Sequence, residues 1–406
     1  MMIQRKKYLE KLIRYKDKDI VKIITGIRRC GKSVLLNEIF YKFLLESGIE
    51  KNHIIKLSFD MKKWERLRDG NALYEYINEQ IVDDERYYIF LDEIQMVDGF
   101  EEAVNGIKAE FNSDVYITGS NSKLLSSDIN TIFRGRGIEI KVFPLSFEEF
   151  YSYRNIDKND AFNEYVMFGG LPYVVTQENR ADKTEYLNMI CSTVVTKDII
   201  DGYNIRNEEL FLAVMDVLCS SIGSYVSANR IANTLKSNGY KTIDNETVSD
   251  YLTYMCDAFL FYKVKRYDIK GKEYLKTQNK YYVCDLGIRN SKINYMQVEM
   301  THIIENIVYL DLLRKGYIVD IGKNRNKEID FLVKDLIDNQ YYIQVSYTID
   351  DVQTREREIS AFYHLDDGYK KIVITMDNNP LTNLGNGYRK LNLFDFLLDD
   401  EILLKV

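Results

Sequence analysis

The residues with the clearest chemical meaning lie in one short segment, residues 26–33. Its sequence, GIRRCGKS, satisfies the spacing G-x-x-x-x-G-K-[ST] of a phosphate-binding loop in full. The glycines allow backbone angles that turn successive N–H groups inward, and a following helix adds the positive end of its dipole. We expect the nucleotide to be bound by Gly26, Ile27, Arg28, Arg29, Cys30, Gly31, Lys32, Ser33 and Val34.

Two side chains of this loop have separate predicted roles. The ammonium of Lys32 would reach the β and γ phosphates of ATP, so we expect it to contribute to catalysis. The hydroxyl of Ser33 would be a ligand of Mg²⁺. The loop therefore predicts ATP and Mg²⁺ as cofactors.

A second acidic element is expected in the segment YYIFLDEIQ, residues 87–95. It reads as a buried strand that ends in two carboxylates. Asp92 would hold the magnesium ion through water, and Glu93 would polarise the attacking water. Successive strand residues point to opposite sides, so neighbouring acids suit these two tasks.

A third polar strand end follows in VYITGSNS, residues 115–122. A hydroxyl or amide at this position would sense the γ-phosphate. Ser120 is our first choice, and Thr118 and Asn121 are alternatives.

The elements that must position these groups alternate between strand and helix over residues 20–150. Helix-period stretches separate the strand-like runs, which indicates βαβ units and a parallel sheet covered on both faces. The predicted strands are VKIIT (21–25), HIIKLSF (53–59), YYIFLD (87–92), VYITG (115–119) and IEIKVF (138–143).

Composition sets limits on the other functions of the chain. Its 406 residues carry a formal net charge of −7, which argues against a general polyanion binder. No apolar run approaches the length of a membrane helix, and the charged amino terminus does not resemble a secretory signal. Five cysteines without C-x-x-C pairing and three histidines argue against structural zinc and disulfides. We therefore expect a cytoplasmic protein without membrane contact.

Several motifs together resemble an AAA+ or STAND-type P-loop ATPase, over essentially the whole chain. They are GIRRCGKSVLL, FLDEIQ, ITGSNSKLLS, FRGRGIEIKVFPLSFEEF and FGGLP. More narrowly, the chain resembles bacterial and archaeal ATPases that carry a carboxy-terminal domain of unknown function. The resemblance implies that Arg134 or Arg136 approaches a γ-phosphate, in its own chain or in a neighbour's, with a surface salt bridge as the alternative. It also makes a homo-oligomer plausible.

The middle of the chain, residues 220–285, has the pattern of a winged helix. Two short amphipathic helices precede two strands that are joined by a polar hairpin. Between residues 261 and 280, seven Lys and Arg residues face two acids, a net charge of +5. This hairpin would contact double-stranded DNA. The candidate recognition helix has no basic residue, so a winged helix that serves packing between domains stays open as the alternative.

The carboxy-terminal segment 305–347 resembles the restriction-endonuclease-like fold. The resemblance implies a metal site formed by Glu305 on a helix, Asp330 on the next strand and Gln344 on a further strand. Such enzymes place a lysine two residues after the last ligand, where this chain has Ser346. We therefore expect a degenerate site. Glu328 is expected to point to a different face from Asp330.

These observations combine into one predicted architecture of the α/β class. A P-loop NTPase domain with a parallel sheet occupies residues 1–147, a helical and winged-helix domain 148–295, and a degenerate nuclease-like α/β domain 296–406. We expect a Mg²⁺-dependent ATPase whose nucleotide cycle moves the carboxy-terminal domains on DNA. A nucleotide-gated signalling or assembly switch and an ATP-controlled DNA nuclease are the alternatives.

Overall fold

The chain divides into two units. The first contains residues 1–144 with 257–259, and the second contains residues 145–256 with 260–406. Both predicted carboxy-terminal ranges, 148–295 and 296–406, lie almost wholly in the second unit. The computed structural model describes residues 3–119, 133, 135–240, 243–295, 299–378 and 382–405.

A five-stranded sheet forms the centre of the first unit. All its neighbouring strands pair in parallel, in the order β2-β3-β4-β1-β5. The strands are β1 (Val21–Thr25), β2 (Ile54–Ser58), β3 (Tyr87–Asp92), β4 (Ser113–Gly119) and β5 (Gly137–Lys141). The predicted parallel α/β sheet is confirmed, because apolar runs such as β3 are buried along their whole length, as strands covered on both faces must be.

The helices of the first unit follow the predicted periodicity. Leu73 and Ile77, four residues apart, and Val104 and Ile107, three apart, belong to the same apolar core as β1, β3 and β4. The α-helices are Lys6–Tyr15, Lys32–Val34, Tyr41–Glu46, Gly70–Gln80 and Phe100–Glu110, with a π-helical turn at Leu35–Phe40 and 3₁₀ turns at Lys51–His53, Lys62–Leu67 and Ile94–Met96.

An eight-stranded sheet spans the second unit. Its order is β13-β12-β11-β10-β9-β7-β8-β6. The parallel pairing of β7 with β9 joins the basic hairpin and the carboxy-terminal strands in one sheet. The strands are β6 (Tyr225–Val226), β7 (Phe261–Asp268), β8 (Glu273–Val283), β9 (Ile318–Asn324), β10 (Lys327–Lys334), β11 (Gln340–Ser346), β12 (Lys370–Thr375) and β13 (Tyr388–Asn392).

The second unit is helical in its first half and mixed in its second. Its α-helices are Phe147–Arg154, Lys158–Phe168, Pro172–Thr176, Arg180–Thr193, Glu208–Ser220, Ala228–Ser237, Asn245–Asp257, Leu286–Lys292, Met300–Arg314, Val352–Ile359, Leu393–Leu398 and Ile402–Lys405, with a π-helical turn at Val194–Ile200 and a 3₁₀ turn at Ser360–Phe362. In the described part of the chain, no helix is both long enough and apolar enough to cross a membrane.

The motif FGGLP has a structural explanation within the second unit. The backbone N–H of Gly170 donates to Oδ2 of Asp285 at 2.7 Å, and the N–H of Ile288 donates to Oδ1 at 3.2 Å. A Cβ on Gly169 would lie 2.1 Å from the same carboxylate. The two glycines therefore allow the chain to pass directly against a buried acid that caps the helix Leu286–Lys292.

Candidate nucleotide-binding site

The predicted phosphate-binding loop lies at the carboxyl edge of the parallel sheet, between β1 and the helix that begins at Lys32. Gly26 and Gly31 have φ angles of +143° and +103°, which side chains other than glycine rarely adopt. At Gly26 there is also no room for a side chain, because an added Cβ would lie 2.1 Å from the carbonyl oxygen of Val142. Both glycines are thus required by the shape of the loop.

Lys32 is only 4% exposed and extends back into its own loop. Its Nζ donates to the carbonyl oxygens of Gly26 at 2.9 Å and of Ile27 at 3.2 Å. The ammonium therefore lies inside the ring of backbone atoms that would surround a phosphate. To bind phosphate oxygens, it has to exchange these carbonyl partners for the ligand.

Asp92 lies next to the loop, where β3 ends. Its Oδ1 accepts from Ser33 Oγ at 3.1 Å and from Thr118 Oγ1 at 2.5 Å, and its Oδ2 accepts from Asn37 Nδ2 at 3.1 Å. Burial raises the pKa of this carboxyl above its ordinary value. The two predicted magnesium ligands are thus brought together by the fold. Both offer oxygen, the donor atom that Mg²⁺ prefers.

Glu93 follows in a left-handed backbone conformation, with φ = +55°. Its N–H donates to Thr118 Oγ1 at 3.0 Å, and its Oε2 accepts from Gln95 Nε2 at 2.5 Å. Such a conformation is costly for a residue with a side chain, so it persists only where its surroundings hold it. As a result, the carboxylate of Glu93 accepts from Gln95, whereas the carboxylate of Asp92 has its own separate donors.

The remaining loop residues differ in environment. Ile27 and Cys30 are buried, and burial raises the pKa of the Cys30 thiol. Arg29 has a φ of +67°, and Val34 is 40% exposed. Arg28 also belongs to the described loop, where it has an interaction partner.

The other predicted catalytic residues are less well placed. Ser120 and Arg134 lie outside the described residues. Arg136 is exposed and directly precedes β5, and its carbonyl accepts from the N–H of Val21 at 2.7 Å. It therefore lies at the amino edge of the sheet. The phosphate-binding loop leaves the opposite edge, roughly 16 Å away along five residues of parallel strand.

Two residues of the site were not predicted from the sequence, and a third had another predicted role. Asn37 lies one helical turn after Ser33, a spacing that places both on one face of the helix. Gln95 lies two residues after Glu93. The sequence predicts Thr118 only as an alternative phosphate sensor. Register explains its actual place, because β3 and β4 run in parallel with Leu91 opposite Ile117, so that Asp92 and Thr118 follow side by side.

The predicted nuclease-like residues also come together, with two corrections. Glu328 and Asp330 lie on the same side of β10, not on different faces, because side chains two residues apart on a strand share a face. Lys280, counted above in the basic hairpin, is buried beside these acids and adds no surface charge. An unpredicted strand, β9, lies between Glu305 and Asp330 in sequence.

Comparisons with known proteins agree with the geometry of the first unit. Residues 18–151 match the family model described as AAA domain, and residues 159–299 match one described as a domain of unknown function, DUF8612. An uncharacterized protein of Haemophilus influenzae is 38% identical over 403 residues, 98% of this chain and 99% of its own length. An uncharacterized protein of Methanocaldococcus jannaschii is 29% identical over 400 residues, 92% of this chain and 85% of its own length.

Solved structures resemble the chain more distantly. The Walker-type ATPase of Pyrococcus abyssi has 15% identity and a TM-score of 0.47, over 72% of this chain and 96% of its own. The ORC2 protein of Aeropyrum pernix has 11% identity and a TM-score of 0.40, over 72% and 92%. Both TM-scores fall below 0.5, so nothing known of these two proteins is transferred to this chain.

Proposed function

The chain belongs to one protein family with its Haemophilus influenzae relative and carries an AAA domain, and from this premise we propose that it is a Mg²⁺-dependent ATPase. One observation carries the proposal. The hydroxyl of Ser33, in the loop, lies 3.1 Å from the carboxylate of Asp92, at the end of a different strand. This oxygen pair would suit a nucleotide-bound Mg²⁺, and Ser33 directly follows Lys32 in the chain.

The residues of this chain divide the work of hydrolysis. Backbone N–H groups of residues 26–33 and the ammonium of Lys32 bind the phosphates. Ser33 and Asp92 would hold Mg²⁺, which would neutralise charge on the phosphate oxygens. Glu93 accepts a proton from the attacking water, and Gln95 orients its carboxylate. We further propose that residues 1–147 form the hydrolysing part and that the cycle repositions the nuclease-like and winged-helix parts at 148–406.

Phosphate release by purified protein tests the catalytic roles. Glu93→Gln should retain binding of a fluorescent ATP analogue and lose about 100-fold or more in turnover, the usual contribution of a general base. Lys32→Ala should lose the binding itself. Glu102→Gln, an exposed acid on the helix Phe100–Glu110, is the matched control and should behave as wild type. Equal turnover of wild type and Glu93→Gln would contradict the proposed role of Glu93.

DNA is the second candidate ligand, and exposed charge on one hairpin favours it. Lys263 and Lys265 on β7, and Lys270 and Lys272 in the connection between β7 and β8, are exposed on a protein of net negative charge. The preceding order of helix, β6, two helices, β7 and β8 is the order of a winged helix. We propose that this hairpin contacts the phosphates of double-stranded DNA.

Fluorescence anisotropy with a DNA duplex at several salt concentrations tests this contact. Lys270→Gln with Lys272→Gln should weaken binding and reduce the slope of log K against log[salt] by about 2, one unit for each lost phosphate contact. The control is Lys236→Gln with Lys197→Gln, which replaces two exposed lysines outside the hairpin. If binding and slope are unchanged in the hairpin variant, the hairpin is not the DNA contact.

The position of Arg136 supports a third proposal, on assembly. Because it lies at the sheet edge opposite its own phosphate-binding loop, we propose that it acts on the nucleotide of a neighbouring copy. A charged guanidinium at a γ-phosphate stabilises the transition state, but only across an interface in this geometry. The active form would then be a homo-oligomer.

A further inference from the structure

An ion cluster in the second unit combines three acids with one lysine. Glu305 lies on the helix Met300–Arg314, Glu328 and Asp330 on β10, and Lys280 on β8. Nζ of Lys280 lies 2.7 Å from Glu305 Oε1, 2.5 Å from Glu328 Oε1 and 3.9 Å from Asp330 Oδ1. Lys280 and Glu305 are each 3% exposed, so this contact is internal.

Lys280 is not at the lysine position that the resemblance to nucleases implies. A nuclease-like site would require an ammonium at position 346, and the Ser346 hydroxyl instead donates to the carbonyl of Thr348 at 3.0 Å. Lys280 brings an ammonium to the same acids from another strand. Tyr282, two residues further on the same face of β8, donates to Glu305 Oε1 at 2.5 Å.

Protein groups also bind the second oxygen of Asp330 and the amide of Gln344. Oδ2 of Asp330 accepts from the N–H of Val345 at 2.8 Å. The predicted third ligand, Gln344, accepts through Oε1 from the N–H of Asp330 at 2.7 Å and donates through Nε2 to Glu358 at 3.2 Å. In this structure, with Lys280 between the acids, the described His, Cys, Asp and Glu side chains form no group of three or more that could hold a metal ion.

Electrostatics explains why a cation must be present. Buried carboxylates are expensive unless a positive charge and hydrogen bonds compensate them. Burial alone would lower the pKa of Lys280, but Glu305, Asp330 and Glu328 outweigh it and raise that pKa. Burial, and then the charge of Glu305, raise the pKa of Asp330.

We propose that Lys280 is a built-in cation that replaces the divalent metal of a nuclease-like site. The ammonium contacts the same oxygens that would ligate a metal, and two cations between the same carboxylates would repel each other. The cluster therefore binds no Mg²⁺ and cuts no nucleic acid. Its role is structural: the ion pairs of Lys280 stabilise the packing of β8 against the helix Met300–Arg314 and against β10.

Cation rescue of a lysine variant tests this replacement. Lys280→Met keeps the length of the side chain and removes its charge, and we expect it to melt roughly 10 °C below its parent, as for a broken buried ion pair. Added Mn²⁺ should recover part of that loss. Lys323→Met, which removes a half-exposed lysine paired with Asp268, should lose less and gain nothing from Mn²⁺. All proteins in this comparison carry Asp92→Asn, so that the nucleotide site contributes no metal binding.

The unmodified cluster provides a second measurement that does not depend on a folded variant. Electron paramagnetic resonance should show no Mn²⁺ bound to the Asp92→Asn protein, and plasmid DNA should remain intact with wild type and Mn²⁺. The proposal is wrong if Mn²⁺ binds to the Asp92→Asn protein and this binding disappears on adding Asp330→Asn. It is also wrong if the wild type cuts the plasmid DNA. In either case Lys280 would be a catalytic lysine. An unchanged melting temperature of Lys280→Met, or a loss that Mn²⁺ does not recover, would overturn it too.

Discussion

Asp92 is a buried acid of the predicted magnesium site, and its burial lowers the stability of the folded protein. It is 4% exposed, and it accepts hydrogen bonds from Ser33, Asn37 and Thr118. Even so, burial dominates and raises its pKa. A carboxylate held in this way is costly to the folded protein and useful to it only when a metal ion shares its charge.

Asp92→Asn should therefore stabilise the protein while it abolishes hydrolysis. The neutral amide removes the burial cost, and Asn37 Oδ1, buried without a hydrogen-bond partner among the described residues, can accept from the new amide. We expect a melting temperature about 2–5 °C higher without nucleotide, and phosphate release in Mg²⁺-ATP reduced at least 100-fold. Thr118→Val, which removes a donor to Asp92, is the opposite control and should lower the melting temperature. A lower melting temperature for Asp92→Asn would contradict the burial argument.

Asp285 predicts a pH dependence of stability. Burial raises the pKa of this carboxyl to about 6. The native state therefore binds the proton more tightly than the unfolded state, and stability from this group is present at low pH and lost as pH rises through 6. Between pH 5.0 and 7.5 the loss from this residue is about 1.4 kcal/mol.

Urea unfolding of wild type and Asp285→Asn at both pH values measures this term. The variant should show a smaller loss of stability between pH 5.0 and 7.5, by about 1.4 kcal/mol, because it does not titrate. Its overall stability falls, since one amide oxygen cannot accept from both Gly170 and Ile288, but that loss is common to both pH values. Equal pH dependence in the two proteins would refute the shifted pKa.

At the scale of elements, the shape of the phosphate-binding loop depends on a close approach between two segments. Gly26 directly follows β1 and lies against the carbonyl of Val142, just beyond β5. No side chain fits there. The element that binds phosphate is therefore shaped partly by a strand distant in sequence.

Gly26→Ala should weaken nucleotide binding at least tenfold, because the loop must move away from Val142. Gly48→Ala is a matched control, since Gly48 also has a positive φ, +86°, but no atom lies within 4 Å of its added Cβ. Both variants carry the backbone cost of alanine at positive φ, about 1–2 kcal/mol, so thermal melting should show a loss in both. Titration with a fluorescent ATP analogue should separate them. Equal affinity would mean that the contact with Val142 does not shape the site.

The hairpin formed by β7 and β8 has two different faces. Its exposed lysines face solvent, whereas Lys280 and Tyr282 point to Glu305 in the interior. Alternation along β7 separates the two groups, because the buried Val264 lies between Lys263 and Lys265 and is paired with Lys280. A variant of the exposed lysines can therefore change DNA binding without disturbing the ion cluster.

At the scale of the whole molecule, the position of Arg136 predicts that activity depends on assembly. Lys32→Ala and Arg136→Ala should each hydrolyse ATP slowly. An equimolar mixture should recover activity, because an intact Arg136 of the first variant can serve an intact loop of the second. Phosphate release over a range of protein concentrations measures this recovery. A mixture no faster than the sum of its parts, or full activity of Arg136→Ala alone, would exclude action between copies.

Local patterns were sufficient to predict the strands of the first unit and the position of the predicted phosphate-binding loop. The five predicted strands of the first unit match the observed ones to within two residues at each end, because a continuous apolar run marks the part of the chain that a covered sheet buries on both faces. The loop spacing likewise identifies Lys32 and Ser33 directly. The predictions for Ser120 and Arg134 lie outside the described residues and stay predictions.

Hydrophobic periodicity was enough to predict the helices and strands of the first unit, and residue spacing was enough to predict the phosphate-binding loop. Which distant groups meet depends on the tertiary structure. Thr118 reaches Asp92 through strand register, Arg136 lies at the far edge through strand direction, and Lys280 enters an acidic cluster from another strand. The physical reason is that periodicity reports which face of an element is buried, whereas pairing between elements decides which charges and hydrogen-bond donors share that interior.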